Sequence, residues 1–533
     1  MAVIESSDKK YSTLIDEIET GQIKIPQFQR QFVWDIEASA KLMDSILKGY
    51  PIGTFIYWRT KERLRSVRNI GNIELPEPLE GEFVNYVLDG QQRITSLFAA
   101  LKGETIERES GKREDYSNIF IDFDADEEDM IVVTDTEAKP DHTYVRLTDL
   151  MNEGRRFFNQ FDEKYDPLID RYKEILQSYL FKGINLKQAE IDVATDVFTR
   201  LNVGGKALTL FEIMVAKTYD PKSGFDLHER YTELIEELQP LDYETISSTN
   251  ILQFIALLLR RECKRKVILK LEKEEFINTW EDAVNCVKHA IDFFKSYGIP
   301  VSKLLPYNTL VVPFAYFFYH HPEPPTGNKL WLMEDFFWRV SLGGRYSSAV
   351  ESKLVQDIDK VDKILREEHP NYEWSIDVSP DAIARNGWFR TSSAFITSIL
   401  CLLSMQQPRS FDNNLRVRID NSWLKVSTSK NYHHFFPIAF MKKHEPQREY
   451  GEYNHIANIT IVDDFLNKRK IKARAPSDYM RSFQKDNQQL TETMNTHLIK
   501  DMDNFGIWDD DYSRFFEERI KLISEKLESK IIR

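Results

Sequence analysis

Apolar and polar positions along the chain change period twice. Over residues 1–150 short β-type runs, FIYW (55–58), NYVLD (85–89), NIFIDF (118–123) and MIVVT (130–134), are interleaved with short helical patterns, which predicts an α+β unit. From about 160 to 400 apolar residues recur at spacings of three and four, through LIEELQPL, ILQFIALLLR, AVNCVKHAIDFF and FITSILCLLS. That spacing predicts a mostly helical middle region. HHPEPPTGN (320–328) interrupts it with three prolines and a Gly-Asn pair, the signature of a surface loop. At QQPRSFDNN (406–414) the pattern shifts again, and a strand-like SWLKVS leads into NYHHFFP and a second compact unit.

The 533 residues include 34 Phe and 23 Tyr, ample core material that excludes a largely disordered chain. Cys263, Cys286 and Cys401 are widely spaced and odd in number, which argues against a disulfide framework or a zinc knuckle and for a reducing, cytoplasmic setting. The N-terminus lacks an apolar signal core, and no run approaches the length of a membrane span, so no membrane association is expected. With 71 Lys and Arg against 85 Asp and Glu, the net charge of −14 leaves only local basic patches for phosphate contact: Arg59 to Arg68, and Lys468 to Arg474.

NYVLDGQQRITSLFAALKG predicts a strand, a tight turn at Asp89-Gly90 and a helix closed by Gly103. A helix start favours an anion, Asp89 suits a hydrated Mg²⁺, Gln91 or Gln92 suits a water, and Arg93 suits phosphate charge. The plainer alternative makes Asp89 an N-cap and Arg93 a surface charge. Upstream, IPQFQRQFVW (25–34) offers Gln29 and Arg30 to the same pocket, or Arg30 to a structural carboxylate. Downstream, FTRLNVGGKAL (198–208) carries Arg200, Asn202 and a Gly-Gly turn without Walker A spacing; taken alone, it reads as a helix C-cap.

Together these three stretches resemble the N-terminal S module of GmrSD-type, modification-dependent restriction endonucleases. The resemblance covers residues 10–230 well and extends more loosely to WRVSLGGRYSS (338–348). It implies a ParB/sulfiredoxin-like fold that binds or hydrolyses a nucleoside triphosphate, with Gln29, Arg30, Asp89, Gly90, Gln91, Gln92, Arg93, Arg200 and Asn202 as its nucleotide-binding residues.

In NYHHFFP, His433 and His434 are adjacent and Pro437 follows; NHIANITIVDDFLNKRK then supplies Asn458 and Asn467. The expected layout is a strand ending at the His pair, a loop, a strand around NITIV and a helix carrying Asn467, the ββα-metal layout of HNH nucleases. Phosphodiester cleavage needs a base for water and a cation for the charged transition state, and imidazole and a carboxamide oxygen meet those needs. By analogy with HNH nucleases, His434 is the general base, His433 and Asn467 are metal ligands for Mg²⁺ or Mn²⁺, and Asn458 tethers the loop behind the base; Lys468 and Lys470 are offered to DNA. Many HNH proteins carry Asp or Glu where His433 stands. This C-terminal pattern resembles the D module of the same systems.

The sequence reading is thus an α+β chain in three parts: a ParB/sulfiredoxin-like domain at 1–230, a helical region at 231–409 and a ββα-metal (HNH) domain at 410–533. The expected function is cleavage of modified foreign DNA in phage defence. GTP, ATP, UTP and CTP are not distinguished, and dimerisation stays open. The alternatives are a nucleotide-gated DNA-binding regulator or an NTPase with an inactive HNH fold.

Overall fold

The computed structural model describes residues 2–532 except 27–28, 30–31, 65–74, 77, 80, 108–112, 126–128, 138, 202–208, 221–222, 422–431 and 464–465, and except the side chains of 467–469. The chain divides into two compact units, Met1–Leu227 and His228–Arg533. The helical segment and the C-terminal His and Asn motifs lie in the second.

The first unit is built on a five-stranded mixed sheet. Its strands are β1 (Val3–Ser6), β2 (Ile23–Lys24), β3 (Phe55–Thr60), β4 (Val84–Asp89) and β5 (Gly183–Lys187), in the order β1-β5-β3-β4-β2. β3 runs antiparallel to β4, whereas β5 on β3 and β2 on β4 are parallel. Helices α1 (Tyr11–Glu19), α2 (Ile36–Leu47) and α3 (Gln91–Lys102) supply Leu14, Ile18, Met43, Ile46, Ile94 and Leu97 to one core with Phe55 and Val87 of the sheet. Further on, α4 (Ile191–Leu201) packs along β4, and α5 (Leu210–Thr218) opens with a Thr209/Glu212 capping box.

β5 lies in the stretch that the sequence pattern reads as helical, and it corrects that reading. GINLK carries a glycine and a buried Asn185 in place of the β-branched alternation that announces a strand. Gly183 is required by packing: a Cβ there would lie 2.5 Å from the Ser7 carbonyl oxygen.

In the second unit, α6 (Ser248–Arg260), α7 (Lys273–Ser296), α8 (Val311–His320), α9 (Gly327–Leu342), α10 (Val350–Leu365) and α11 (Ala394–Met405) form the helical part. Phe336, Phe337 and Trp338 are buried in it, whereas Trp331 of the same helix is exposed, and His320-His321 sit at the surface loop that the prolines predict. Two short antiparallel strands follow, β6 (Tyr432–His434) and β7 (Ile459–Ile461), then a π-helical turn at Leu466–Ile471, α12 (Pro476–Asp486) and α13 (Tyr512–Glu528). Phe411, Phe435, Phe436, Tyr479, Phe483 and Phe515 make their shared core. The predicted strand SWLKVS lies outside the described residues. All three cysteines are free and buried, and no helix among the described residues is long and apolar enough to cross a membrane.

Candidate functional site

Two clusters gather the chemistry, one in each unit. In the first, β4 ends at Asp89, Gly90 turns the chain at φ +96°, and α3 begins at once. Gly90, not Asp89, holds the N-cap position, and no side chain caps the helix, so the N-cap alternative for Asp89 falls. The Asp89 carboxylate instead accepts from Arg93 at 2.8 Å, and Arg93 also donates to the carbonyls of Ile52 (2.7 Å) and Thr54 (3.2 Å). Arg93 thereby fixes the loop before β3 beside an uncapped helix start, the local geometry that favours an anion.

Gln29 and Gln92 bind the upstream segment to this turn. Buried Gln29 donates to the carbonyls of Val87 (2.8 Å) and Leu88 (2.9 Å), and the Gln92 side-chain oxygen accepts from the backbone of Val33 (2.8 Å) and Trp34 (3.3 Å). Gln91 is buried beside Gln92. Arg200 is exposed on α4 and paired with Asp196 at 2.9 Å. Arg30 and Asn202 lie outside the described residues.

Gly90 has no substitute at this turn. Its Cβ would sit 2.5 Å from the Phe55 ring, in a left-handed conformation costly to L side chains. Gly90→Ala is expected to destabilise the first unit by about 2 kcal/mol or more, read from its denaturant midpoint.

In the second cluster β6 ends at the His pair, opposite β7: His433 faces Thr460 and His434 faces Ile459. The two rings have separate surroundings. His433 is buried against Phe411 and Tyr479, and its Nδ1 lies 3.1 Å from the Thr460 hydroxyl. Its Nε2 is buried with no hydrogen-bond partner among the described residues. When Thr460 gives its proton to the His433 carbonyl, 3.4 Å away, Nδ1 carries the ring hydrogen and Nε2 keeps its lone pair, the form of imidazole that ligates a metal. Burial, and then the neighbouring His434, hold His433 well below the ordinary imidazole range.

His434 packs edge-on to Phe389, and its Nε2 lies 2.9 Å from the Asn454 side-chain oxygen. The Asn454 amide nitrogen points to the Phe389 carbonyl (3.4 Å), which orients the oxygen toward the imidazole. Nε2 therefore donates, and Nδ1 is left as the basic nitrogen. Burial lowers the His434 pKa, and the Asn454 bond partly opposes that.

Asn458 closes the loop. Its side-chain oxygen accepts from Phe436 N (2.8 Å), and its nitrogen donates to the carbonyls of Phe436 (3.0 Å) and Tyr453 (2.9 Å). Lys470 is ion-paired to Asp412 at 2.6 Å. Asn467 and Lys468 lie in the helical turn, and their side chains are outside what the structure describes.

Three residues escape the sequence reading. Asn454 stands 20 positions from the ring it orients, with only its place in YNHIAN as a signal. Thr460 is hidden in an apolar strand. Arg519 of α13 is fully buried and donates to the carbonyls of Ala457 (3.1 Å) and Ile459 (2.8 Å), on either side of Asn458; burial pushes its pKa down to about 9.

Two further buried histidines make this unit acid-sensitive. Burial lowers His455 to about 4 and His497 to about 3, both against a carbonyl. Above the unfolded value of 6.5 neither state takes up a proton, and their stability is fully present; below it the unfolded chain binds protons that the native state refuses. Stability is expected to fall as pH drops from about 6.5 toward about 4, by about 2 kcal/mol per histidine at about pH 5, measured as denaturant midpoint against pH.

Comparison with known proteins bears on the first cluster. Residues 11–219 match the family described as GmrSD restriction endonuclease, N-terminal domain. A GmrSD-type N-terminal domain is present. It lies inside the first unit and contains the Asp89–Arg93 turn, the segment that Gln29 and Gln92 hold, and Arg200. Similarity also runs past the GmrSD domain: the chain is 24% identical to an uncharacterized protein of Methanocaldococcus jannaschii over 601 aligned positions, which cover 97% of this chain and 98% of that protein.

Proposed function

We propose that the chain is a two-module DNA endonuclease of restriction-type defence, acting inside the cell. In this reading the GmrSD-type domain binds or hydrolyses a nucleoside triphosphate, on a ParB/sulfiredoxin-like scaffold, and the second unit cleaves modified foreign DNA at an HNH-type, ββα-metal site. The observation that carries the nuclease reading is the set of three bonds by which Asn458 pins the loop after His434, with the Asn467 turn following β7.

His433 fits a metal ligand, because its buried Nε2 lacks a partner among the described residues. Mg²⁺ or Mn²⁺ held by His433 and Asn467 would supply positive charge to the phosphate oxygens in the transition state. The chain's own residues do the rest. His434 Nδ1 takes a proton from the attacking water, whose oxygen forms the new P–O bond as the leaving oxygen departs with its electron pair. Asn454 holds the ring in that tautomer, and Asn458 and Arg519 fix the backbone facing it. Lys468 and Lys470 are the basic residues that this reading offers to DNA, Lys470 by giving up its ion pair with Asp412.

In the first unit the nucleotide phosphates would take the uncapped start of α3, where Gly90 makes the turn, and the residues that the family resemblance offers to them are Gln29, Arg30, Gln91, Gln92, Arg93, Arg200 and Asn202. Asp89, paired here with Arg93, would be the carboxylate to hold Mg²⁺, which would supply positive charge to the nucleotide phosphates.

Plasmid cleavage tests both modules. Parent, Asp89→Ala and His434→Ala are compared with Mg²⁺ or Mn²⁺, on unmodified and glucosylated or phosphorothioated DNA, with each NTP. Cutting of modified DNA alone, lost in His434→Ala and uncoupled from NTP in Asp89→Ala, supports the reading. NTP hydrolysis without cleavage of any substrate by the parent refutes the nuclease assignment.

A further inference from the structure

The segment from Pro408 to Ile419 faces two places at once. On one side it grips the turn that carries Asn467: Ser410 donates to Asp463 at 2.9 Å, Asp463 caps Leu466 at 2.7 Å, and Asp412 pairs with Lys470. On the other side, with the ends of α7 and α11, it walls a hollow of about 360 Å³ that contains Lys295, Arg416, Arg418 and Ser404.

This hollow has the character of an anion site. Three cations share it, and no carboxylate lines it among the described residues. Arg418 has an ion pair with Asp420 at 3.4 Å, and Lys295 donates to the Leu241 carbonyl at 3.2 Å, whereas the Arg416 side chain has no partner among the described residues. Ser404 is 4% exposed, and its hydroxyl is buried with no partner among the described residues. Such an atom has given up water and received nothing in return.

The cations are not there to satisfy helix ends. At the end of α7 the Phe293 carbonyl takes Tyr297 N and the Lys295 carbonyl takes Gly298 N; at the end of α11 the Leu403 and Ser404 carbonyls take Gln406 N and Gln407 N. With those acceptors filled by backbone, the exposed side chains of Arg416 and Arg418 leave positive charge at the hollow open to an incoming anion. Guanidinium and ammonium donors suit the oxygens of a phosphate.

We infer that this hollow binds a phosphate group, and that the phosphate belongs to the backbone of the DNA, led by the Pro408–Ile419 segment toward the Asn467 turn. The identity of the ligand as DNA rests on the nuclease reading above; the site itself does not.

The test is binding of a labelled duplex by fluorescence anisotropy in EDTA, so that nothing is cut, over a series of salt concentrations. Arg416→Ala/Arg418→Ala is expected to bind about tenfold more weakly at low salt, with a plot of log K against log salt flatter by about two. Lys521→Ala/Lys526→Ala carries the same charge change elsewhere and is expected to bind as the parent does. Calorimetry with pyrophosphate separates the sources. Pyrophosphate binding lost in the arginine variant, with duplex binding intact, keeps the phosphate site but assigns it to a free nucleotide. Parent-like behaviour of the arginine variant toward both probes overturns the inference. Arginine-dependent duplex binding by a parent that cuts nothing removes the nuclease reading and leaves the site standing.

Discussion

His434→Ala is expected to lower the rate of phosphodiester cleavage by about a thousandfold, the usual worth of a positioned general base, while duplex affinity and melting temperature stay near those of the parent. The ring makes one polar contact, to Asn454, and packs on Phe389 at the end of a strand, so its removal leaves the core of the unit intact. Its chemical part is larger than its structural one. With Nε2 donating to Asn454, only Nδ1 is left to take a proton, and alanine offers nothing in its place. Asn454→Leu is expected to give a milder loss, about tenfold, because the base remains but its tautomer is no longer set. Single-turnover cleavage of a labelled duplex reads both, and a His434→Ala protein that cuts at the parent rate would end the proposed mechanism.

Asn458→Asp is expected to destabilise the second unit by about 3 kcal/mol and to abolish cleavage with it. The replacement is nearly isosteric, so packing is not the cause. The asparagine nitrogen donates to the carbonyls of Phe436 and Tyr453; a carboxylate offers them no hydrogen and sets negative charge against two buried acceptors. Only the bond from Phe436 N survives. The chemical denaturation midpoint measures the loss, and an Asn458→Asp variant as stable as the parent would show that the loop is held by other means.

Much of the first unit is legible in its sequence because local rules coincide there. The run NYVLD, the glycine after it and the apolar spacing of α3 each specify the same strand, turn and helix, and Gly103 ends the helix in the left-handed conformation that its sequence position suggests. The role of Arg93 is less legible, since its carbonyl acceptors at Ile52 and Thr54 belong to a loop far back along the chain. β5 escapes because its stability comes from two neighbouring strands and not from its own residues.

The second unit shows the same division. His433, His434 and Asn458 announce themselves by spacing, and the bonds of Asn458 are those of a loop tether. Asn454, Thr460 and Arg519 are read only in three dimensions: the first through a contact across 20 residues, the second through a strand register, the third through a helix near the C-terminus. Nothing in the periodicity of α13 distinguishes Arg519 from an ordinary polar position, yet it is fully buried.

That last contact sets the order in which the molecule can be finished. Ala457 and Ile459 wait for a cation encoded 62 and 60 residues later, so a nascent chain emerging from the ribosome carries both histidines and both asparagines before it possesses the group that holds their backbone. A chain interrupted anywhere before Arg519 has the motif without its support, so the backbone on either side of Asn458 is held only once a residue some sixty positions further on has been made.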